Sequence, residues 1–140
     1  MTETQTLSFT RAQTDTRLRT YQVLFAISII ANLIVALWCI IAPVSFAQQV
    51  LQIDPYPQAW PRIWGATFAG LQFVYIPGVR NPLFYRWPNW FSIANKFLMS
   101  AIFVVAGSLF YLLAAWEFVW FIILIVAYYR LTLADIRGRP

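Results

Sequence analysis

The stretch WFSIANKFLMSAIFVVAGSLFYLLAAWEFVWFIILIVAYYRLTL, residues 90–133, runs for 44 residues with almost no break in its apolar character. A hydrocarbon core about 30 Å thick is crossed by roughly 20 residues of helix, at about 1.5 Å per residue. The stretch therefore holds two crossings and must turn back once. Glu117 is the only charge between Lys96 and Arg130, and a charge in the middle of a membrane is costly. The turn is accordingly expected at AAWE, residues 114–117, between helices over about 90–113 and 116–133.

The rest of the chain has the same character. Hydrophobic residues make up 61% of it, charged residues only 11%, and the mean hydropathy is +0.64. Soluble domains carry about 25% charged residues. The run YQVLFAISIIANLIVALWCIIA, residues 21–42, is long enough for one crossing and ends at Pro43. The run IWGATFAGLQFVYIP, residues 63–77, is short. Its pairs Gly65 with Ala69 and Ala66 with Gly70 stand four apart and allow close helix packing. Arg62 and Arg80 at its flanks can snorkel to make up the missing length. The expected fold is all-α, an integral membrane four-helix bundle over 21–133, with a polar, mobile tail over 1–20 and a basic tail over 134–140. No cleavable signal peptide is expected, because the first 20 residues are polar and the run after them is too long.

The net charge of +5 has no basic helix face behind it, and nucleic-acid binding is not expected. The positive residues instead sit between and beyond the apolar runs. Arg11, Arg17 and Arg19 precede the first, Arg80 and Arg86 separate the second from the third, and Arg130, Arg137 and Arg139 close the chain. The other two connections hold Asp54, Arg62 and Glu117. The positive-inside rule then places both termini in the cytoplasm. Nine arginines against one lysine point to a GC-rich bacterial genome, and the expected location is the bacterial inner membrane. In GVRNPLFYRWPNWFSIANKF, residues 78–97, the rings of Phe84, Tyr85, Trp87 and Trp90 suit the headgroup layer. Arg80, Arg86 and Lys96 there form a candidate lipid-headgroup or partner-docking set. In the outer loop, Val44, Ala47, Val50 and Leu51 share one face of a short helix expected to lie on the bilayer surface.

The chain has no histidine, and Cys39 is its only cysteine. Zinc sites, haem ligation through histidine and Cys–His pairs all need residues it lacks. No metal, cofactor or catalytic residue is expected, and the chain is not read as an enzyme. The polar residues within the spans form stripes instead: Ser28 and Asn32 in the first, Gln72 in the second, and Ser92, Lys96 and Ser100 in the third. These faces are expected to converge, either as packing contacts or as a polar cleft for a small ligand, lipid or quinone. With the turn at 114–117, Lys96 and Glu117 fall at opposite membrane faces. Their pairing is ruled out, Lys96 is expected to snorkel to the cytoplasmic side or meet Asp135, and Arg62 is left to pair with Glu117 or Asp54.

The stretch WPRIWGATFAGLQFVYIPGVRNP, residues 60–82, with Asn95-Lys96-Phe97 after it, resembles the small four-helix membrane proteins grouped as DoxX-like. The resemblance covers residues 43–105, and the matching positions are Arg62, Gly65, Tyr75, Pro82 and Lys96. It implies a four-helix bundle and a name inherited from a subunit associated with a quinol oxidase. The expected function is thus non-catalytic: an accessory or assembly subunit of a larger inner-membrane complex, or a small homo-oligomer. Its expected partners are membrane lipids and another membrane protein or itself. The alternative is a small transporter or a membrane protein binding a lipid, quinone or other small ligand.

Overall fold

The computed structural model describes residues 3–53 and 59–137, so Asp54 and Arg139 lie outside the described residues. All regular structure among the described residues is helical. Helix α1 covers Glu3–Ile41, α2 Pro43–Phe46, α3 Ala59–Arg80, α4 Arg86–Ala106 and α5 Tyr111–Arg137. A π-helical turn, Ala47–Leu51, continues α2, and a 3-10 turn, Ser108–Phe110, precedes α5. Among the described residues, three helical stretches are long and apolar enough to cross a membrane: Ala12–Ile41, Arg86–Ala106 and Ser108–Arg137.

Helix α1 packs against α3 and α5, and α4 packs against the same two. The inward faces repeat every three to four residues, as a 3.6-residue helix requires. On α3 they are Phe68, Gln72, Tyr75 and Gly78; on α4, Asn89, Ser92, Lys96, Ser100 and Phe103. An apolar core that includes Tyr21, Phe25, Leu124, Tyr128 and Leu131 shares the interior with polar side chains, and the outer surface is largely apolar. Ser28, Asn32, Gln72, Asn89, Ser92, Lys96, Ser100 and Glu117 are buried, while Val105 is 87% and Ile41 76% exposed. Such an arrangement suits a hydrocarbon solvent, in which apolar side chains lose nothing by facing outward and polar ones must find partners inside.

The hairpin between α4 and α5 turns earlier than expected. Helix α4 ends at Ala106, and Gly107 has φ 109° and ψ −177°, a conformation essentially confined to glycine. AAWE lies within α5, and Glu117 is buried there rather than exposed in a turn. The glycine's backbone freedom, not the position of a charge, decides where the chain reverses.

Other boundaries also shift. Helix α1 takes in the polar stretch expected to be a mobile tail, since extending a formed helix adds a hydrogen bond per residue without a new nucleation cost. Helix α3 passes through Pro77 to Arg80, and the chain stays coiled beyond it, with Asn81 N–H donating to Pro77 O at 3.1 Å. Helix α5 reaches Arg137, so only 138–140 of the expected basic tail lie beyond the described residues. The segment after Pro43 turns apolar side chains onto the protein itself. It folds back over the ends of α1 and α3, burying Phe46, Ala47 and Leu51, and stops at Gln52, which takes a left-handed conformation. Aromatic stacking draws it there: Phe46 lies 5.6 Å from Trp38 and 5.7 Å from Trp64.

Of the two small-residue pairs on α3, only one meets a neighbour. A Cβ added at Gly65 would stand 2.7 Å from the Ala36 carbonyl oxygen and 2.8 Å from the Cys39 Cβ, whereas one at Gly70 would meet nothing. At the other end, Gln22 Nε2 donates to the carbonyls of Val79 and Arg80, at 2.9 and 3.1 Å. Helix α3 therefore runs antiparallel to α1 and covers the same depth.

Candidate functional site

Moving the turn to Gly107 sets Lys96 eleven residues before it and Glu117 ten after it, so the two stand level across the hairpin. Lys96 Nζ lies 3.2 Å from Glu117 Oε2, and the two side chains are 3% and 7% exposed. The pairing ruled out on the expected turn is thus the ion pair observed. Lys96 is ten residues from each end of α4, about 15 Å either way, and is bonded inward rather than reaching the surface. It does not use Asp135, and Glu117 is not left for Arg62. The physical reason is desolvation: each ion alone would be very costly inside, and the pair at 3.2 Å offsets part of that cost.

A polar layer surrounds the pair. Asn32 Nδ2 on α1 donates to Gln72 Oε1 on α3, and Trp116 Nε1 on α5 donates to Asn32 Oδ1, both at 3.4 Å. Gln72 Nε2 donates to Phe68 O at 3.1 Å, and Ser100 Oγ donates to Ala114 O at 2.9 Å. Four helices thus contribute side chains at one level. One turn further toward the α3–α4 connection, Ser28 Oγ, Tyr75 OH and Ser92 Oγ are buried without a hydrogen-bond partner among the described residues. Below them lies a satisfied cluster. Tyr21 OH donates to Asn89 Oδ1 at 2.8 Å, Asn89 Nδ2 donates to the carbonyls of Pro82 and Tyr85, and Tyr128 OH donates to Pro82 O at 3.3 Å.

On the opposite side of the pair, toward α2, a cavity of about 230 Å³ opens. Its walls are largely aromatic, including Trp38, Phe46, Trp64, Phe68, Phe103 and Trp116, and among the described residues Glu117 is the only charged one lining it. A smaller cavity of about 120 Å³ shares Phe46, Trp64 and Phe103 with it and reaches Leu51 and Phe110. The walls are braced by ring contacts, with Trp64 stacked 5.0 Å from Phe68 and Phe103 stacked 5.9 Å from Phe110. Chemically this is an almost wholly apolar slot, with the Lys96–Glu117 pair packed behind its wall.

Of the residues singled out in the sequence, the structure brings Ser28, Asn32, Gln72, Lys96 and Ser100 into the interior. Arg62, Arg80 and Arg86 remain exposed at the helix ends and do not join them. Lys96 is therefore unavailable to a headgroup set with Arg80 and Arg86. Sequence reasoning missed Glu117, Trp116 and the aromatic wall. One signal was present: Gly107 is the only glycine between Gly78 and Gly138, and a turn there makes the Lys96–Glu117 pair follow by counting.

Compared with family models, curated proteins and solved structures, the chain matches none.

Proposed function

We propose that the chain is a four-helix bundle of the bacterial inner membrane, with both termini cytoplasmic, that binds a small amphipathic molecule between its helices. The reading rests on one observation: among the described residues, Glu117 of the buried ion pair is the one charged residue lining an otherwise apolar, aromatic cavity. Ionisable residues inside a membrane protein are costly and mark binding or transport paths, and ligand sites are mostly apolar with a few placed polar groups. A molecule with a flat or chain-like apolar body and a hydrogen-bonding head, such as a quinone or a lipid, fits that chemistry. Helix α3 serves as the fourth crossing because it covers the depth of α1. With the α4–α5 turn free of charge, only Asp54 and Arg62 remain on the outer side, which favours the cytoplasmic assignment of the arginine-rich segments.

A second reading, a non-catalytic accessory subunit or small homo-oligomer, draws on a different face. A groove of about 410 Å³ between α4 and α5 has small residues, Ser100, Ala101, Ala114 and Ala115, flanked by Phe97, Val104, Tyr111 and Phe118, and small residues let another helix approach. The DoxX-like resemblance favours the same reading.

The two separate on purification in mild detergent. Solvent extraction and mass spectrometry of the purified protein are expected to recover a stoichiometric amphipathic molecule, lost from a Leu113→Trp variant that fills the cavity. A protein that carries only bulk lipid, and co-purifies at fixed ratio with another membrane protein, overturns the ligand reading in favour of the subunit.

A further inference from the structure

At the end of the molecule away from the aromatic cavity, a cleft of about 480 Å³ opens between α1 and α5, lined by Gln13, Arg17, Arg130, Leu133, Ala134 and Arg137. Thr14 Oγ1 donates to Ala134 O at 3.3 Å and ties the two helices there. Directly along the same helices runs a second, apolar groove of about 330 Å³, whose walls include Leu24, Ile122, Ile123 and Val126. Arg17 and Arg130 line both.

We infer that this compound groove is a site for an anionic phospholipid, with its phosphate between Arg17, Arg130 and Arg137 and an acyl chain laid along Leu24, Ile122 and Val126.

Three observations carry the assignment. First, the three guanidinium groups face one cleft, and among the described residues none is held by an ion pair or side-chain hydrogen bond. Asp15 and Asp135, the acids nearest in sequence, do not line the cleft. Like charges facing one another across a gap repel, and a phosphate, whose oxygens match the guanidinium fork, removes that repulsion. Second, the cleft lies where the membrane-crossing stretches begin and end, at Ala12 and Arg137. Basic pockets between helices at that depth bind lipid headgroups. Third, a soluble anion needs only the polar cleft. The apolar groove continues from Arg130 to Ile122, eight residues or about 12 Å deeper, and only a ligand with a hydrocarbon chain uses it.

The test is thermal unfolding and native mass spectrometry of the full chain in mild detergent, titrated with phosphatidylglycerol or phosphatidylcholine. Phosphatidylglycerol is expected to bind at least about tenfold more tightly, a difference of about 1.4 kcal/mol. That preference is expected to vanish in Arg17→Gln/Arg130→Gln, while melting in phosphatidylcholine stays that of the parent. Val126→Trp obstructs the groove without changing a charge and is expected to weaken phosphatidylglycerol binding as well, so the inference does not rest on the arginine variant folding. Arg62→Gln, at the opposite end, is expected to keep the full preference. Equal affinity for the two lipids overturns the site, as does a preference that survives both variants. Competition by glycerol phosphate as strong as by intact lipid overturns it too, in favour of a soluble anion.

Discussion

Lys96 and Glu117 are the residues on which the interior turns, and their energetics make a sharp expectation. Removing one partner of a buried ion pair leaves an uncompensated charge and typically costs about 3–5 kcal/mol, whereas replacing both with apolar residues is often neutral. Lys96→Met alone and Glu117→Leu alone are therefore expected to lower unfolding stability in detergent by that amount, and the double variant to recover most of it. A double-mutant cycle measured by thermal unfolding reads the coupling directly, and additive losses contradict the pairing. The contrast between two glycines is equally local. Gly65→Ala drives a methyl to within 2.7 Å of the Ala36 carbonyl and is expected to cost about 1–3 kcal/mol, while Gly70→Ala, which meets open space, stays within about 0.5 kcal/mol. Equal melting shifts for the two would show that α1 and α3 do not approach as described.

At the scale of elements, the α4–α5 turn and the α2 fold-back decide what the interior contains. Gly107 adopts φ 109°, and a residue with a Cβ there is strained by about 1–3 kcal/mol. Gly107→Val is expected to lower the melting temperature and to weaken the Lys96–Glu117 coupling, because a shift of the turn by one residue rotates Glu117 by about 100° away from α4. Measuring the same double-mutant cycle in the Gly107→Val background checks this. Phe46 closes the aromatic cavity from the α2 side. Phe46→Ala is expected to cost about 3 kcal/mol and to red-shift tryptophan emission as Trp38 and Trp64 lose their neighbour. An unchanged spectrum means the segment does not cover the cavity.

At the scale of the whole molecule, the arrangement is a question of which side of a bilayer each end occupies. Reporter fusions at Met1 and Pro140 are expected to report the same, cytoplasmic, side, and fusions after Gly107 the opposite one. Termini on different sides would remove one crossing and dissolve the antiparallel match of α3 with α1. The aromatic belt belongs to this scale too. Phe84 and Trp87 are 74% and 71% exposed beside the α3–α4 connection, as the headgroup layer favours.

Much of this was legible in the residues alone. Long apolar runs and scarce charge mark helices suited to a lipid solvent, because transfer energies add along the chain and depend little on what each segment touches, and the arginine-rich connections carry the proposed orientation. The stripes of Ser28, Asn32, Gln72, Lys96 and Ser100 also follow from helical spacing, and all five lie inside. What the runs could not convey is the register of one helix against the next. Within a continuous apolar stretch every position is nearly equivalent for solvation, so the chain's reversal is chosen by a single glycine's backbone freedom and by the ion pair that only one register allows. The partner of Lys96, the burial of Glu117 and the cavity it faces were therefore decided by the tertiary structure, since pairing energies exist only between residues that packing has already brought level.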